Sequence, residues 1–213
     1  MAKRAYGQFC GFSRALEVLG ERWALLIVRD LLIGPKRFTD LHRGLPGIPT
    51  NVLTARLKEL EEDGIVQRRI LPRPEHAVVY ELTPYGSELD ETVAALGRWG
   101  AKTLGEPRPD EIVTVDSIAM ALRTTFQPEA TRGRSETYEL HVGEVVLDVR
   151  VDDGTLSITP GTARHPDAVI EAGPGIRAVM AGEISPAEAI ASGAVRVTGD
   201  AALLTHFAET FRI

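Results

Sequence analysis

The chain has 213 residues, 44% of them hydrophobic and 25% charged, with a formal net charge of -6. That balance suits a folded, water-soluble chain and excludes a disordered one; no apolar run approaches the roughly 20 residues that cross a bilayer, and the basic start "MAKRAYGQFCGF" lacks the long apolar stretch of a secretory signal. The one cysteine, Cys10, excludes an internal disulfide and fits a reducing, cytoplasmic setting.

The length accommodates two ordinary domains, and the charge divides accordingly: residues 1–105 carry a net +2 and residues 106–213 a net -8. The break falls at "GEPRPDE", 105–111, a polar segment with two prolines that reads as a connector. The expected organisation is a first domain over 1–105, a linker over 106–111 and a second domain over 112–213. A negative total does not exclude an anionic partner, because binding follows the local field of one face.

In the first half, "FSRALEVLG" places Phe12, Ala15, Leu16 and Leu19 at helical spacing and ends on Gly20. Trp23 to Ile33 reads as a more buried helix stopped by Gly34-Pro35. "KRFTDLHRGL" gives a short helix with Phe38, Leu41 and Leu45 inward. In "LPGIPTNVLTARLKELEEDGIVQRR", Leu53, Leu57 and Leu60 form a narrow apolar stripe. Asn51, Thr54, Ala55 and Lys58 fall on the opposite face.

That reverse face is short, polar and mostly uncharged, and its acids Glu61, Glu62 and Asp63 come only in the last turns. Such a helix suits entry into a major groove by its N-terminal half. Asn51 and Thr54 are short enough to approach base edges, and Lys58 suits a phosphate. After Gly64, "IVQRRI" and "VVYEL" read as two strands joined by "LPRPEHA", a hairpin with Arg68, Arg69, Arg73 and His76 at or near its tip. Helix, turn, helix and basic hairpin in this order describe a winged helix-turn-helix.

Residues 10–100 resemble the HxlR-type winged-helix regulators, a branch near the MarR-like proteins. The resemblance rests on "CGFSRALEVLGERWALLIVRDLLIGPKRFTDLHRGLPGIPTNVLTARLKELEEDGIVQRR", then "YELTPYGSEL" and "LGRWG". It implies a homodimer on two-fold symmetric double-stranded operator DNA, a recognition helix over Pro49 to Asp63 and a wing over Leu71 to Ala77. The residues expected at DNA are Lys36, Arg37, Thr39, Thr50, Asn51, Thr54, Arg56, Lys58, Arg68, Arg69 and Arg73. Lys36, Arg37 and the other arginines mainly meet phosphate, while Asn51 and Thr54 read bases. The chain departs from the family at Pro49 and Asn51, where relatives often have a serine and a basic residue, so their operators do not transfer.

"TPYGSELDETVAALGRWGAKTL", 83–104, is expected as one long helix with Leu89, Val93, Leu96 and Gly100 on one side. The resemblance implies that it dimerises together with Tyr6, Phe9 and the first helix. Cys10 raises a redox reading that needs exposure and a lowered pKa, to which Arg14 one turn on would contribute. A lone buried cysteine acting as a small apolar group is the competing reading.

The second half changes to strands. An opening helix has Val115, Ile118, Ala119, Leu122 and Phe126 inward. "TYELHV" and "VVLDVRV" alternate around a Gly143-Glu144 turn, and Asp153-Gly154 turns into "TLSITPG". "DAVIEA" and "AVRVTGD" add two strands. Between them lie a helix near Ile176 to Ala181 and another after Ser185, with Glu188 as capping-box partner. "DAALLTHFAETFRI" closes the chain with Leu203, Leu204, Phe207 and Phe211 on one apolar face. The fold class is α+β.

No catalytic constellation stands out, and no enzyme activity, cofactor or metal is expected: the five histidines are scattered, with no HExxH or CxxC. "GFSRA", 11–15, has no strand before it and is no nucleophile elbow. "GPGIRA", 173–178, fits G-x-G-x-x-A, but Pro174 sits in the glycine turn and no second βαβ half follows. The run from "VVLDVRVDDG" to "GEISPAEAIASGAVRVTGDAALLTHFAETF" instead resembles the sterol carrier protein-like domains. That implies an elongated apolar cavity for a fatty-acyl or sterol-like effector, with Phe126, Met180, Phe207 and Phe211 as candidate walls. A solid core needs the same residues. Three functions are therefore carried forward: an effector-responsive DNA-binding regulator, a regulator whose second domain only braces a dimer, and a lipid carrier or enzyme accessory.

Overall fold

The computed structural model describes residues 5–105, 108, 111–173 and 175–213. Most of the linker expected at 106–111, and Pro174, lie outside the described residues. The chain divides into two compact units, 1–94 and 95–213.

The first unit opens with α1 (Gly11–Leu19), α2 (Ala24–Ile33), α3 (Phe38–Gly44) and α4 (Thr50–Glu62). The antiparallel hairpin β1 (Val66–Ile70) and β2 (Val78–Leu82) follows. Its core is built from Ile27, Val28 and Leu31 of α2, Leu41 of α3, Leu53, Leu57 and Leu60 of α4, and Ile65, Val66 and Val79 of the hairpin. A bridge between Lys36 and Tyr80 adds one rung outside β2. Loop 71–77 closes on itself through the Leu71 amide donating to the Ala77 carbonyl at 2.8 Å.

The helix expected over 83–104 is two helices, α5 (Pro84–Ser87) and α6 (Asp90–Ala101). The expectation of one rod is corrected by local chemistry. Thr83 caps α5 with its hydroxyl accepting the Gly86 amide at 3.0 Å. At 88 and 89 the amides reach back only three residues, to Tyr85 and Gly86, which tightens the turn and ends the α-helical ladder. Gly86 lies against the Ile65 backbone so closely that a Cβ would stand 2.1 Å from its carbonyl oxygen. The division between the units falls within α6.

The second unit holds α7 (Val115–Thr125) and a 3-10 turn (Pro128–Thr131) that the sequence does not announce. Strands β3 (Ser135–Val142), β4 (Val145–Asp152), β5 (Thr155–Pro160) and β6 (Ala168–Ala172) come next. They are followed by α8 (Ile176–Met180), α9 (Pro186–Ala191), β7 (Val195–Gly199) and α10 (Ala202–Thr210). The strands form one sheet in the order β5-β4-β3-β6-β7, antiparallel except for the parallel pair β3-β6. Asp153 and Gly154 both take positive φ, 41° and 86°, the left-handed pair that a two-residue hairpin demands. The Ser185–Glu188 capping box forms as the sequence indicates, the Ser185 hydroxyl accepting the Glu188 amide.

One face of the sheet carries Tyr138, Leu140, Val142, Leu147, Val149 and Ile170 against Leu122, Leu204, Phe207 and Phe211. The aromatic rings interlock, with centroids 5.4 Å apart for Tyr138–Phe207 and 4.7 Å for Phe207–Phe211.

Candidate nucleic-acid interface

Helix α4 has the two-faced character that its spacing requires. Leu53, Leu57 and Leu60 are 0%, 2% and 1% exposed, whereas Asn51, Thr54 and Lys58 lie on the solvent side. Pro49 precedes the helix with φ -67° and ψ 143°, an extended entry that its ring already favours. The Thr54 hydroxyl donates to the Thr50 carbonyl at 2.9 Å, so its oxygen turns outward as an acceptor. That oxygen suits an amino edge, and the neighbouring methyl group suits a thymine methyl. Thr50 approaches His42 Nε2 at 3.4 Å. Asn51 presents both amide functions, the set that pairs with adenine in a major groove.

The cations expected at DNA separate into two groups. Arg37 and Thr39 are exposed at the start of α3, where the Arg37 amide donates to Asp40 at 3.2 Å. Arg73 is exposed in the hairpin loop, and no ion pair joins Arg37 or Arg73 to an acid among the described residues. Lys36 is half-buried and its backbone carries both hydrogen bonds of the Tyr80 bridge, 2.9 and 2.7 Å.

The remaining cations hold acids. Lys58 stands 3.6 Å from Glu62. Arg68 donates through Nε to Glu61 at 2.9 Å, and Arg69 through Nε to Glu81 at 2.7 Å. Arg56 differs most from the expectation: its side chain is 14% exposed and is engaged by Glu59 and, at 3.8 Å, by Glu21. Its position makes it a link between α4 and Glu21 rather than a free phosphate ligand.

Sequence reasoning missed the pairing of these cations with acids. Glu81 enters only once the hairpin register sets it opposite Gln67 and beside Arg69, and Glu61 only once the end of α4 is known to meet β1 at Arg68.

Cys10 is exposed at the residue before α1, and the backbone amides of Ser13 and Phe12 hold its thiol below the usual range. Burial, the competing expectation, is therefore overturned. Arg14, expected to assist, donates instead to Glu17 at 2.8 Å. Tyr6, Phe9, Phe12 and Leu16 of the same unit expose their side chains; in the second unit Leu96 and Trp99 of α6 are exposed as well. The apolar face of α1 is thus left open to solvent, and Ser13 is the buried residue of the helix.

In the second unit, Met180, Phe207 and Phe211 are buried and Phe126 is half-buried; all four belong to the same apolar cluster. The Phe126 ring lies tilted against Phe211, centroids 6.0 Å apart, and the two residues share an isolated strand bridge. Beside this cluster lies a polar group absent from the expectations. Buried Glu136 accepts the Tyr138 hydroxyl and stands 2.7 Å from His206 Nδ1. Desolvation, then the hydrogen bond to Glu136, pushes the Tyr138 phenol well above its usual range.

Comparison with known proteins places each half. A model of the HxlR-like helix-turn-helix family matches residues 18–107, and one of the SCP-2 sterol transfer family matches 121–212. The HTH-type transcriptional regulator YvaP of Bacillus subtilis is 36% identical over 91 residues, 43% of this chain and 84% of YvaP. The HTH-type transcriptional regulator YodB of the same organism is 40% identical over 85 residues, 40% of this chain and 76% of YodB. The solved reduced form of YodB shares 35% identity, covers 46% of this chain and all of that one, and superposes with a TM-score of 0.40. The chain belongs to the HxlR-like helix-turn-helix family of DNA-binding transcriptional regulators and carries a domain of the SCP-2 sterol transfer family in its second half.

Proposed function

We propose that the chain works in the cytoplasm as a homodimer on double-stranded operator DNA, with α4 in the major groove and the β1-β2 hairpin as its wing. Asn51 and Thr54 read bases; Lys36, Arg37, Thr39, Thr50, Lys58, Arg68, Arg69 and Arg73 line the backbone. The observation that carries this reading is the solvent-facing polar side of α4 above a buried leucine seam. The exposed apolar side chains of Tyr6, Phe9, Phe12 and Leu16 support the dimer, since a patch of this kind is costly unless a partner covers it. The same reading takes 1–105 as the regulator domain, 106–111 as the linker and 112–213 as the second domain, a boundary about ten residues beyond the division between the compact units at 94 and 95.

On the same reading the SCP-2 domain receives an apolar, fatty-acyl-like effector at Phe126, Met180, Phe207 and Phe211 and has no catalytic role. The effector shifts DNA affinity by binding one arrangement of the dimer better than the other. A second reading, in which this domain is a closed brace with no effector, draws support from the interlocked rings of Tyr138, Phe207 and Phe211. Cys10, exposed and with a lowered thiol pKa, is the candidate for an oxidant input.

Native mass spectrometry of freshly purified protein tests subunit count and bound ligand together. Mass at twice the chain, with an added apolar adduct, is the expected result. A dimer free of adduct, whose operator affinity ignores decanoic and palmitic acids, selects the brace. A monomer that ignores every duplex in dilute buffer refutes the whole reading.

A further inference from the structure

Arg68 and Arg69, on β1 of the wing, are not loose surface cations. The Glu81 carboxylate receives two donors at once, Gln67 Nε2 at 3.0 Å and Arg69 Nε at 2.7 Å. Glu61, at the end of α4, receives Arg68 Nε at 2.9 Å and holds that guanidinium charged more firmly than usual. In both pairs the acid is the better-covered member. Side-chain exposure is 17% for Glu81 against 45% for Arg69, and 34% for Glu61 against 58% for Arg68.

A guanidinium held through its inner nitrogen keeps the terminal fork that matches a phosphate. Adjacent residues of a strand point to opposite faces, so Arg68 and Arg69 project from the two sides of the hairpin, each over its own carboxylate. We infer that Glu81 and Glu61 are positioning residues, which seat Arg69 and Arg68 with their terminal nitrogens toward the phosphates of double-stranded DNA.

The inference rests on the DNA-binding reading above and extends it to residues whose own charge opposes DNA. That opposition decides the test, because charge counting and positioning predict opposite signs. Glu81→Ala removes a negative charge from the wing. If charge alone mattered, the variant would bind DNA more tightly and with a steeper salt dependence. If Glu81 seats Arg69, the freed side chain must be ordered anew on binding. The variant then binds more weakly and loses about one phosphate contact.

The assay is a fluorescence titration of a mixed-sequence 30-base-pair duplex (probe length set by design) against full-length protein, repeated over a salt series. Phosphate contacts are read without knowledge of the operator. Affinity is expected to fall roughly threefold to tenfold, as befits an oriented rather than free cation, and the logarithmic salt slope by about one. Glu81→Gln, which keeps an acceptor for Arg69 Nε, restores most of the loss. Arg69→Ala matches the loss, and the double variant Glu81→Ala/Arg69→Ala adds nothing further.

Tighter or unchanged binding by Glu81→Ala, or additive losses in the double variant, overturns the inference. Should thermal melting show Glu81→Ala misfolded, the same cycle on Glu61 and Arg68 decides by the same criteria. Failure of the wild-type chain to bind the duplex at low salt is a different result: it refutes DNA binding itself.

Discussion

Replacing Leu57 by alanine isolates the packing on which the exposed face of α4 depends. Leu57 lies midway in the buried seam between Leu53 and Leu60 and is 2% exposed. The substitution removes three carbons from water-free surroundings, a transfer loss of about 2.4 kcal/mol at about 0.8 kcal/mol each. The cavity raises the total to roughly 3–4 kcal/mol, inside the range of about 2–5 for such truncations. For a unit of this size each kcal/mol shifts the melting midpoint by about 4–8 °C, so the expected fall is roughly 12–30 °C. Thermal unfolding followed by circular dichroism supplies the midpoint, and hydrogen exchange with peptides spanning 50–63 locates the loss. A shift below about 3 °C, with exchange over 50–63 unchanged, means that the seam does not face the core. Asn51 and Thr54 would then not face a groove, and the DNA-binding geometry would be wrong.

The counterpart, Asn51→Ala, leaves the stability within about 0.5 kcal/mol of wild type but reduces base discrimination at one operator position by about 1–3 kcal/mol; selection from a randomised duplex pool checks this, and an unchanged preference refutes it. The Cys10 thiol, lowered by the Ser13 and Phe12 amides, reaches its full alkylation rate at a lower pH in the native chain than in urea; coincident profiles refute the lowering. The Tyr138 phenol has its folded pKa raised by burial and Glu136, so its stabilising effect is complete below the usual phenol range and is lost as pH rises through the folded value. Alkaline titration of phenolate absorbance is expected to show one lagging tyrosine among the four, absent in Tyr138→Phe; simultaneous ionisation of all four sinks the claim. Gly86→Ala destabilises the first unit by about 1–3 kcal/mol, although alanine is the better helix former, because its Cβ meets the Ile65 carbonyl oxygen; a gain in melting midpoint refutes that packing.

The elements most legible in the sequence were those whose period and termini agreed. The stripe Leu53-Leu57-Leu60 and the hairpin turn at Asp153-Gly154 are local patterns, and each is reproduced in the fold. The break between α5 and α6 was not legible, because the apolar spacing runs on through 88 and 89, where the amides turn back only three residues. The fate of the arginines was illegible for a related reason. Arg56, Arg68 and Arg69 are alike in sequence, yet their partners are Glu59 and Glu21, Glu61, and Glu81, and three of those four pairings exist only in three dimensions. Exposure of Cys10 likewise depends on the entry into α1 rather than on its neighbours' polarity. The Glu136-Tyr138-His206 group joins β3 to α10 across 70 positions, beyond any local reading.

The acidity of the whole chain and the pairing of its wing cations have one physical consequence. A protein that grips DNA chiefly through loose lysines gains affinity by releasing counterions and gives up sequence preference in proportion. Here Lys58, Arg68 and Arg69 already hold carboxylates, so each adds less than a full charge to the local field. On the positioning inference their value lies in orientation, which a mismatched register would waste. On the proposed reading the neutral pair Asn51 and Thr54 then carries a larger share of the binding energy than in a basic wing, and that share is present only on the correct bases. Residues 106–213, with a net charge of -8, add a repulsion toward any duplex that reaches them, screened beyond about 10 Å at 0.1 M salt. The proposed reading therefore expects weak non-specific adhesion from the charge pattern itself, and with it a selectivity that needs no additional base contact.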